Sequence, residues 1–546
     1  MMQTRDAGVR LTATFHSLLG ATMRHSQLLV GVFGLLISCG GGADTTATHP
    51  PTPPAVARVD VSPQNPSVRP GQSVAFSAVT VDASGIALTG RTILWSSSAT
   101  NVATISSSGS AVAVAAGTTT ITATSEGRSG STVLTVLAPP SMQIVVGAPK
   151  AFVGDSVTLT WTTQQATSCQ ATGAWSGAQN TQGSIRVAFT TGGVRTFNLA
   201  CTGAGGTVTD SARLIVPLPV YPTSYENAKN IDTPITRVPT LSRAVCQTND
   251  ARAYADFLQE GTLSRFVHGT VYDSITPGTM CLERLAANGQ WVDVTDSYIN
   301  DTRGCLHPRK VIVADFNKDK KPDIFTACHG WDRPPYAGEQ SILLLSNAQG
   351  KYDRFVIPIT AFAHGAAAGD VNGDGYPDIL LLDSSHNTYM FLINQGGTGT
   401  FVRDDTRLPA YLSRTQYFTT ELTDVDGDGV LDVLIAGFNT GDANEGPATF
   451  LKGSPNGTFT NYAPVTWPGE TGCLTTLDFV IRAGAAYLLR ECNNYQGFAI
   501  TKVVMPTGAA STFYDAKALG RTAVWLYLNS GKFVYDDAAL PLSITP

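Results

Sequence analysis

Residues 370–378 read Asp370-Val-Asn372-Gly-Asp374-Gly-Tyr376-Pro-Asp378, with oxygen-bearing side chains at positions 1, 3, 5 and 9 of a nine-residue segment and Gly375 at position 6. Carboxylates this close repel one another unless a cation lies between them. A flexible loop of oxygen donors suits Ca²⁺, which accepts about six to eight of them. Position 6 turns sharply, where a residue without Cβ costs least. The pattern returns 54 residues later as Asp424-Val-Asp426-Gly-Asp428-Gly-Val430-Leu-Asp432, and stands 55 residues earlier as Asp315-Phe-Asn317-Lys-Asp319-Lys-Lys321-Pro-Asp323. Spacing this regular marks a repeat architecture.

An EF-hand loop begins the same way but requires a bidentate Glu at position 12 and flanking helices. Position 12 here is Thr326, Leu381 and Ile435. The flanks are short apolar runs, Val311-Ile-Val-Ala314 before one loop and Ile379-Leu-Leu-Leu382 and Val433-Leu-Ile-Ala436 after the others. Such runs read as strands buried on both faces, and the strand after each loop is read as the inner one. Gly-x-aromatic turns follow at Gly350-Lys-Tyr352, Gly399-Thr-Phe401, Gly457-Thr-Phe459 and Gly531-Lys-Phe533. Loop, strand, hairpin and turn, repeated, make a blade.

On these motifs, residues 220–546 resemble the FG-GAP/VCBS repeats of integrin-α-like β-propellers. The resemblance implies a propeller of five to seven blades, five repeats being visible, whose loops hold Ca²⁺ through their Asp and Asn side chains and the position-7 carbonyl of Lys321, Tyr376 or Val430. Two good sites and one weaker one are expected. In the first loop Lys320 stands where the glycine belongs, and an ordinary residue in the left-handed region costs about 1–2 kcal/mol. Asp478, 54 residues past Asp424, is read as a decayed repeat and Asp256 as a vestige, neither binding Ca²⁺.

The chain has 546 residues, 43% hydrophobic and only 14% charged, with a net charge of −6. That length supports several cores, the low charge suits a β-rich exported protein, and nothing basic offers nucleic acid a footprint. Leu28 to Ile37 is an apolar run too short to span a bilayer but right for a signal-peptide core. It leads into Leu36-Ile-Ser-Cys39-Gly40, which resembles a bacterial lipobox with Cys39 as the acylated residue; cleavage at an ordinary small-residue site is the alternative. Residues 1–39 are thus read as a signal peptide, with Met23 as the start that best suits it. By the same resemblance Gly40 favours outer-membrane sorting in a Gram-negative cell. Residues 40–57, rich in proline, read as a semi-rigid tether.

Residues 58–138 alternate in strand fashion with sandwich-like turn spacing. They resemble group 2 bacterial Ig-like domains, notably in Trp95-Ser-Ser and Ala115-Ala-Gly-Thr-Thr-Thr-Ile-Thr-Ala, with Trp95 expected in the core. A second sandwich is expected at 141–217. The predicted fold class is therefore all-β, two Ig-like sandwiches followed by a β-propeller. Of nine cysteines, Cys39 is assigned to lipid and eight remain, an even number in an oxidising compartment. Cys169 and Cys201 share the second sandwich and are paired. Cys328 and Cys492 occupy equivalent blade positions, with Cys305 and Cys473 upstream, suggesting Cys305–Cys328 and Cys473–Cys492; Cys246–Cys281 is what remains.

No nucleophile elbow, zincin helix, phosphate loop or dinucleotide fingerprint occurs. His329, His364 and His386 are scattered along the propeller and read as loop or packing residues. Asp332, Arg333 and Tyr336 form a polar-aromatic loop that could border a polysaccharide-cleaving cleft. Two functions stand: a lipid-anchored surface module displaying a Ca²⁺-rigidified propeller to an extracellular glycan or protein, and a propeller lyase or hydrolase acting on polysaccharide. The first is favoured.

Overall fold

A computed structural model describes residues 53–229, 251–270, 275–437, 446–505, 508–520, 523, 526–529, 532–535 and 543–544. The signal segment, Cys39, most of the tether and Cys246 lie outside the described residues. Among those described, no helix is long and apolar enough to cross a membrane.

The chain is almost entirely β, as two Ig-like sandwiches followed by a propeller. In the first sandwich the Thr-rich strand Gly117–Ser125 pairs antiparallel with Arg128–Val136. Its burial alternates residue by residue, placing Ile121 and Ala123 inward against Val59, Val61 and Leu134. Trp95 packs onto that core, its ring 6.3 Å from Phe76. The second sandwich stacks a three-stranded sheet on a four-stranded one around Leu159, Phe197 and Leu214. Trp161 meets Trp175 edge-on at 5.1 Å. Cys169 lies directly opposite Cys201, and the two are bonded.

Six consecutive sheets follow, numbered here as blades 1 to 6. Blades 1 to 5 are four-stranded antiparallel meanders, and blade 6 shows three strands among the described residues. Their first strands are Arg252–Ala255, Pro308–Ala314, Ala363–Gly369, Tyr417–Thr423, Cys473–Arg482 and Leu526–Asn529. A short helix, Ser224–Lys229, touches the first strands of blades 1, 2, 3, 4 and 6. The Tyr225 hydroxyl accepts the Ile481 N–H of blade 5 at 2.6 Å. A segment touched by one strand from every sheet lies on the axis of the ring. The expectation that the strand after each Asp loop is innermost is thereby corrected: the strand before the loop faces the axis and the strand after it is second. The second strands Asp323–Cys328, Asp378–Asp383 and Asp432–Gly437 are buried at every residue, because neighbouring blades cover both faces.

The axial helix is held by charge. Lys229 Nζ lies 2.5 Å from Asp478 Oδ2 and 2.8 Å from the Leu526 carbonyl. Beside it, Lys310 donates to Glu421 at 2.8 Å and to the Thr420 carbonyl at 2.7 Å. All four charged side chains are buried.

Candidate functional site

The three Asp loops join first to second strand in blades 2, 3 and 4, so they lie at one end of the propeller. Each folds by the same hydrogen bonds. The position-1 carboxylate accepts the position-6 N–H: Lys320 to Asp315 at 2.8 Å, Gly375 to Asp370 at 2.7 Å, Gly429 to Asp424 at 2.8 Å. The position-5 carboxylate accepts the position-7 N–H: Lys321 to Asp319 at 2.9 Å, Tyr376 to Asp374 at 2.8 Å, Val430 to Asp428 at 2.9 Å. The position-3 amides of Asn317 and Asn372 accept the N–H of Asp319 and Asp374.

Position 9 has a different task. Asp323, Asp378 and Asp432 are fully buried, and each takes the position-2 N–H on one oxygen and, on the other, an N–H from the end of the third strand or, for Asp432, from Gly453 just beyond it. For Asp378 these donors are Val371 at 3.1 Å and Asn394 at 2.8 Å; for Asp432 they are Val425 at 2.9 Å and Gly453 at 2.8 Å. The carboxylate thus clamps loop to blade. Burial, with the loop's other carboxylates adding, pushes Asp378 and Asp432 up to about 6 and Asp323 well above its usual range.

The loops differ in the cations already present. Oxygens of Asp424, Asp426 and Asp432 lie within 4.8 Å of one another, as one ion would need. Lys452, however, bonds to Asp426 and sits 2.5 Å from Asp428 Oδ2. In the first loop Lys321 Nζ is 3.3 Å from Asp319 Oδ2, and Lys318 and Lys320 both take positive φ, 60° and 66°. In the loop at Asp370, Lys318 Nζ reaches only the Asp374 carbonyl, at 2.6 Å, and lies 3.7 Å from the Tyr376 ring centre. The oxygen donors are of the kind a hard cation takes in all three loops, but among the described residues three carboxylates converge within 4.8 Å only at Asp424, Asp426 and Asp432; the loop at Asp370 is the least contested by lysine. Replacing Lys452 with Gln should tighten Ca²⁺ at the loop of Asp424 by up to roughly thirtyfold, the scale of one unit charge removed from about 4 Å of a divalent ion in water. Unchanged affinity by calorimetric titration would refute that competition.

The two decayed repeats trade places. Asp256 keeps the position-1 role, accepting Glu260 and Gly261 N–H at 2.8 Å each, and Ser264 Oγ stands in for the position-9 carboxylate by accepting Phe257 N–H at 2.9 Å. Asp478 is no loop residue: it pairs with Leu489 in mid-strand and serves the axial helix, and the first-to-second turn of blade 5 is Ala483-Gly484.

Cys305 is bonded to Cys328 and Cys473 to Cys492. The second bond lies within blade 5, whereas Cys305 precedes blade 2's first strand and hydrogen-bonds to Gly278 and to His268 of blade 1, so the first ties that connection to blade 2 rather than stapling one blade. Cys281 is disulfide-bonded; its expected partner Cys246 lies outside the described residues.

At the opposite end of blade 2, Arg309 Nη2 lies 3.3 Å from Asp332 and Arg333 lies 5.4 Å from the Trp331 ring centre. Tyr336 meets Phe362 edge-on at 5.5 Å. Asp332, Arg333 and Tyr336 are thus brought to one mouth. His329 is fully buried there, its ring centre 5.2 Å from those of both His307 and His364. Desolvation, then Arg309 and His307, lower it to about 2. His386 stands apart on Asp383, at 3.0 Å. The sequence reading missed His307; its signal was position, just before the first strand whose partner strand ends just before His329.

Fold and loops together define a sandwich-and-propeller architecture. Residues 55–136 match the family model of the bacterial Ig-like domain (group 2), and residues 370–435 match that of the FG-GAP-like repeat. No curated protein sequence matches the chain. Among solved structures, domains 5–6 of the S-layer protein SbsC are 19% identical over 30% of this chain and 98% of that one, with a TM-score of 0.15. The Yersinia pseudotuberculosis adhesin InvE is 13% identical over 29% of this chain and 58% of that one, at 0.14. A quinonprotein alcohol dehydrogenase-like protein from Bacteroides thetaiotaomicron is 10% identical over 75% of this chain and 86% of that one, at 0.27.

Proposed function

We propose that this protein is an exported, surface-displayed binding module whose propeller is braced by Ca²⁺ and presents a face to an extracellular glycan or protein. The observation that carries the reading is the position-9 carboxylate. In all three loops it is buried and spent on backbone N–H groups of its own blade, so an ion held beside it fastens strands together and touches nothing that could react. The disulfide of the second sandwich and those of the propeller suit an oxidising exterior. Cys39 as a lipid anchor, with outer-membrane placement, belongs to the same reading.

Extracellular Ca²⁺ modules bind at about 10⁻⁴–10⁻³ M, so millimolar Ca²⁺ adds about 0.4–1.4 kcal/mol per site by mass action. EDTA should therefore lower the propeller's melting transition by several degrees and leave the sandwiches where they were. Asp374→Ala should remove the largest share of that shift, Asp428→Ala less, and Asp319→Ala least. Chelation that moves no transition would end the metal reading. A glycan and matrix-protein array probed with and without Ca²⁺ tests the binding role, and depends on ligand capture that weakens in EDTA.

A further inference from the structure

At the end of blade 2 remote from the Asp loops, the chain brings together two imidazoles and a carboxylate. His307 precedes the first strand and His329 follows the second; the His329 N–H donates to the His307 carbonyl at 3.0 Å, extending the ladder by one pair. The turn after His329 carries Asp332 back over them. A ring nitrogen of each histidine and an Asp332 oxygen all lie within 4.8 Å of one another.

A second observation is independent of that proximity. His329 is fully buried, and neither of its ring nitrogens has a hydrogen-bond partner. Buried polar atoms are nearly always satisfied, and an imidazole with both nitrogens unmatched is an exception that calls for a reason. Ligation occupies one of them. The Asp332 side chain is 45% exposed, so the place between the three groups opens to solvent.

We propose that His307, His329 and Asp332 form a transition-metal site of the Zn²⁺ class, separate from the Ca²⁺ loops and of different chemistry. Imidazole nitrogen suits a borderline ion such as Zn²⁺, whereas Ca²⁺ and Mg²⁺ take oxygen donors. Two nitrogens and one carboxylate make three protein ligands, leaving a position for water or for an oxygen of a bound ligand. Arg309 competes: its guanidinium, 3.3 Å from Asp332, sits where the ion's charge is needed and must swing away on binding. His364, stacked on His329 at 5.2 Å with planes 9° apart, fixes the ring's attitude.

The test uses the full, untagged chain, stripped of metal and held in millimolar Ca²⁺ so that the Asp loops are filled. Co²⁺ is then titrated in and its visible d–d absorption followed. The expected result is one Co²⁺ per chain in a low-coordinate spectrum, displaced by one Zn²⁺. His329→Ala should abolish that spectrum, Asp332→Asn should weaken binding about tenfold or more, the lower end of what even a supporting residue contributes, and Arg309→Ala should strengthen it. Should His329→Ala fail to fold, Asp332→Asn decides alone, since its side chain is exposed. A wild-type chain without the d–d bands, or affinity unchanged in Asp332→Asn, overturns the site. Both outcomes are independent of whether the Asp loops bind Ca²⁺.

Discussion

Replacing Lys229 with Met should cost the propeller about 3–5 kcal/mol, the usual consequence of removing one partner from a buried ion pair. Lys229 and Asp478 are 2% and 0% exposed, so no water can take the ammonium's place. The Leu526 N–H also donates to Asp478 Oδ2, at 2.8 Å, and so ties blade 6 to the same carboxylate. Met matches the lysine's length and keeps its packing, which leaves the charge as the main thing lost. The double variant Lys229→Met/Asp478→Asn should recover more than half of the loss, because Asn still accepts the Leu526 N–H and no bare anion stays behind. For contrast, Arg58 and Asp60 form a pair with 61% and 53% of their side chains exposed, and Arg58→Ala should change stability by less than about 0.5 kcal/mol. Urea denaturation measures all three, the two Lys229 variants in the propeller transition and Arg58→Ala in that of the first sandwich, where Arg58 opens the strand Arg58–Ser62. A Lys229→Met variant within about 1 kcal/mol of the parent would show that packing alone holds the axis.

Acid should destabilise the propeller through His268. The ring is fully buried in blade 1; its Nε2 accepts the Cys305 N–H at 3.0 Å, so Nδ1 carries the proton and donates to the Gly269 carbonyl at 3.0 Å. A Cβ on Gly304 would come within 2.2 Å of the ring, so this cradle requires glycine. Burial lowers the histidine from 6.5 to about 4. A folded value below the unfolded one means the neutral form is the stabilised one. The contribution is therefore complete above about pH 6.5, is lost as pH falls towards 4, and amounts to about 3 kcal/mol at roughly 1.4 kcal/mol per unit. Asp378 and Asp432, raised to about 6, act in the opposite sense, their strain at neutral pH easing as they protonate. The quantity to compare is thus the pH profile of the melting transition in the parent and in His268→Gln, both in millimolar Ca²⁺. Gln can accept from Cys305 and donate to Gly269 without titrating, so its profile should be flatter between pH 6.5 and 4. Parallel profiles would rule His268 out as the acid-sensitive group.

What the sequence made legible was local. Asp370 to Asp378 carries its turn geometry in nine consecutive residues, and Gly373 and Gly375 stand at the two positive-φ positions, 75° and 83°. Cys328 and Cys492 both end second strands, so counting along the chain matched them. The same counting failed at Asp478, because its spacing from Asp424 is an accident of loop length: the residue lies within a ten-residue strand. Asp256 was undervalued for the opposite reason, since Ser264 does the work of a carboxylate and breaks the pattern by which the loop is recognised. Illegible altogether were the contacts across the ring. Lys229 and Asp478 are 249 residues apart, and six residues of helix show no periodicity to mark them.

That separation also bears on the order in which the molecule is made. The axial helix emerges before any blade, yet its lysine meets Asp478 only in blade 5 and the Leu526 carbonyl, 297 residues on, only in blade 6. Chains grow from the N-terminus at about 5–20 residues per second during synthesis, so the axle waits about 15–60 seconds for its last bearing. The sandwiches, whose strand partners lie within one sandwich and at most 68 residues apart (Ser67 with Thr135), can finish meanwhile. A nascent propeller stopped after blade 4 would hold Lys229 over an unfilled gap, and the ring's cooperativity falls due at the end of translation rather than blade by blade.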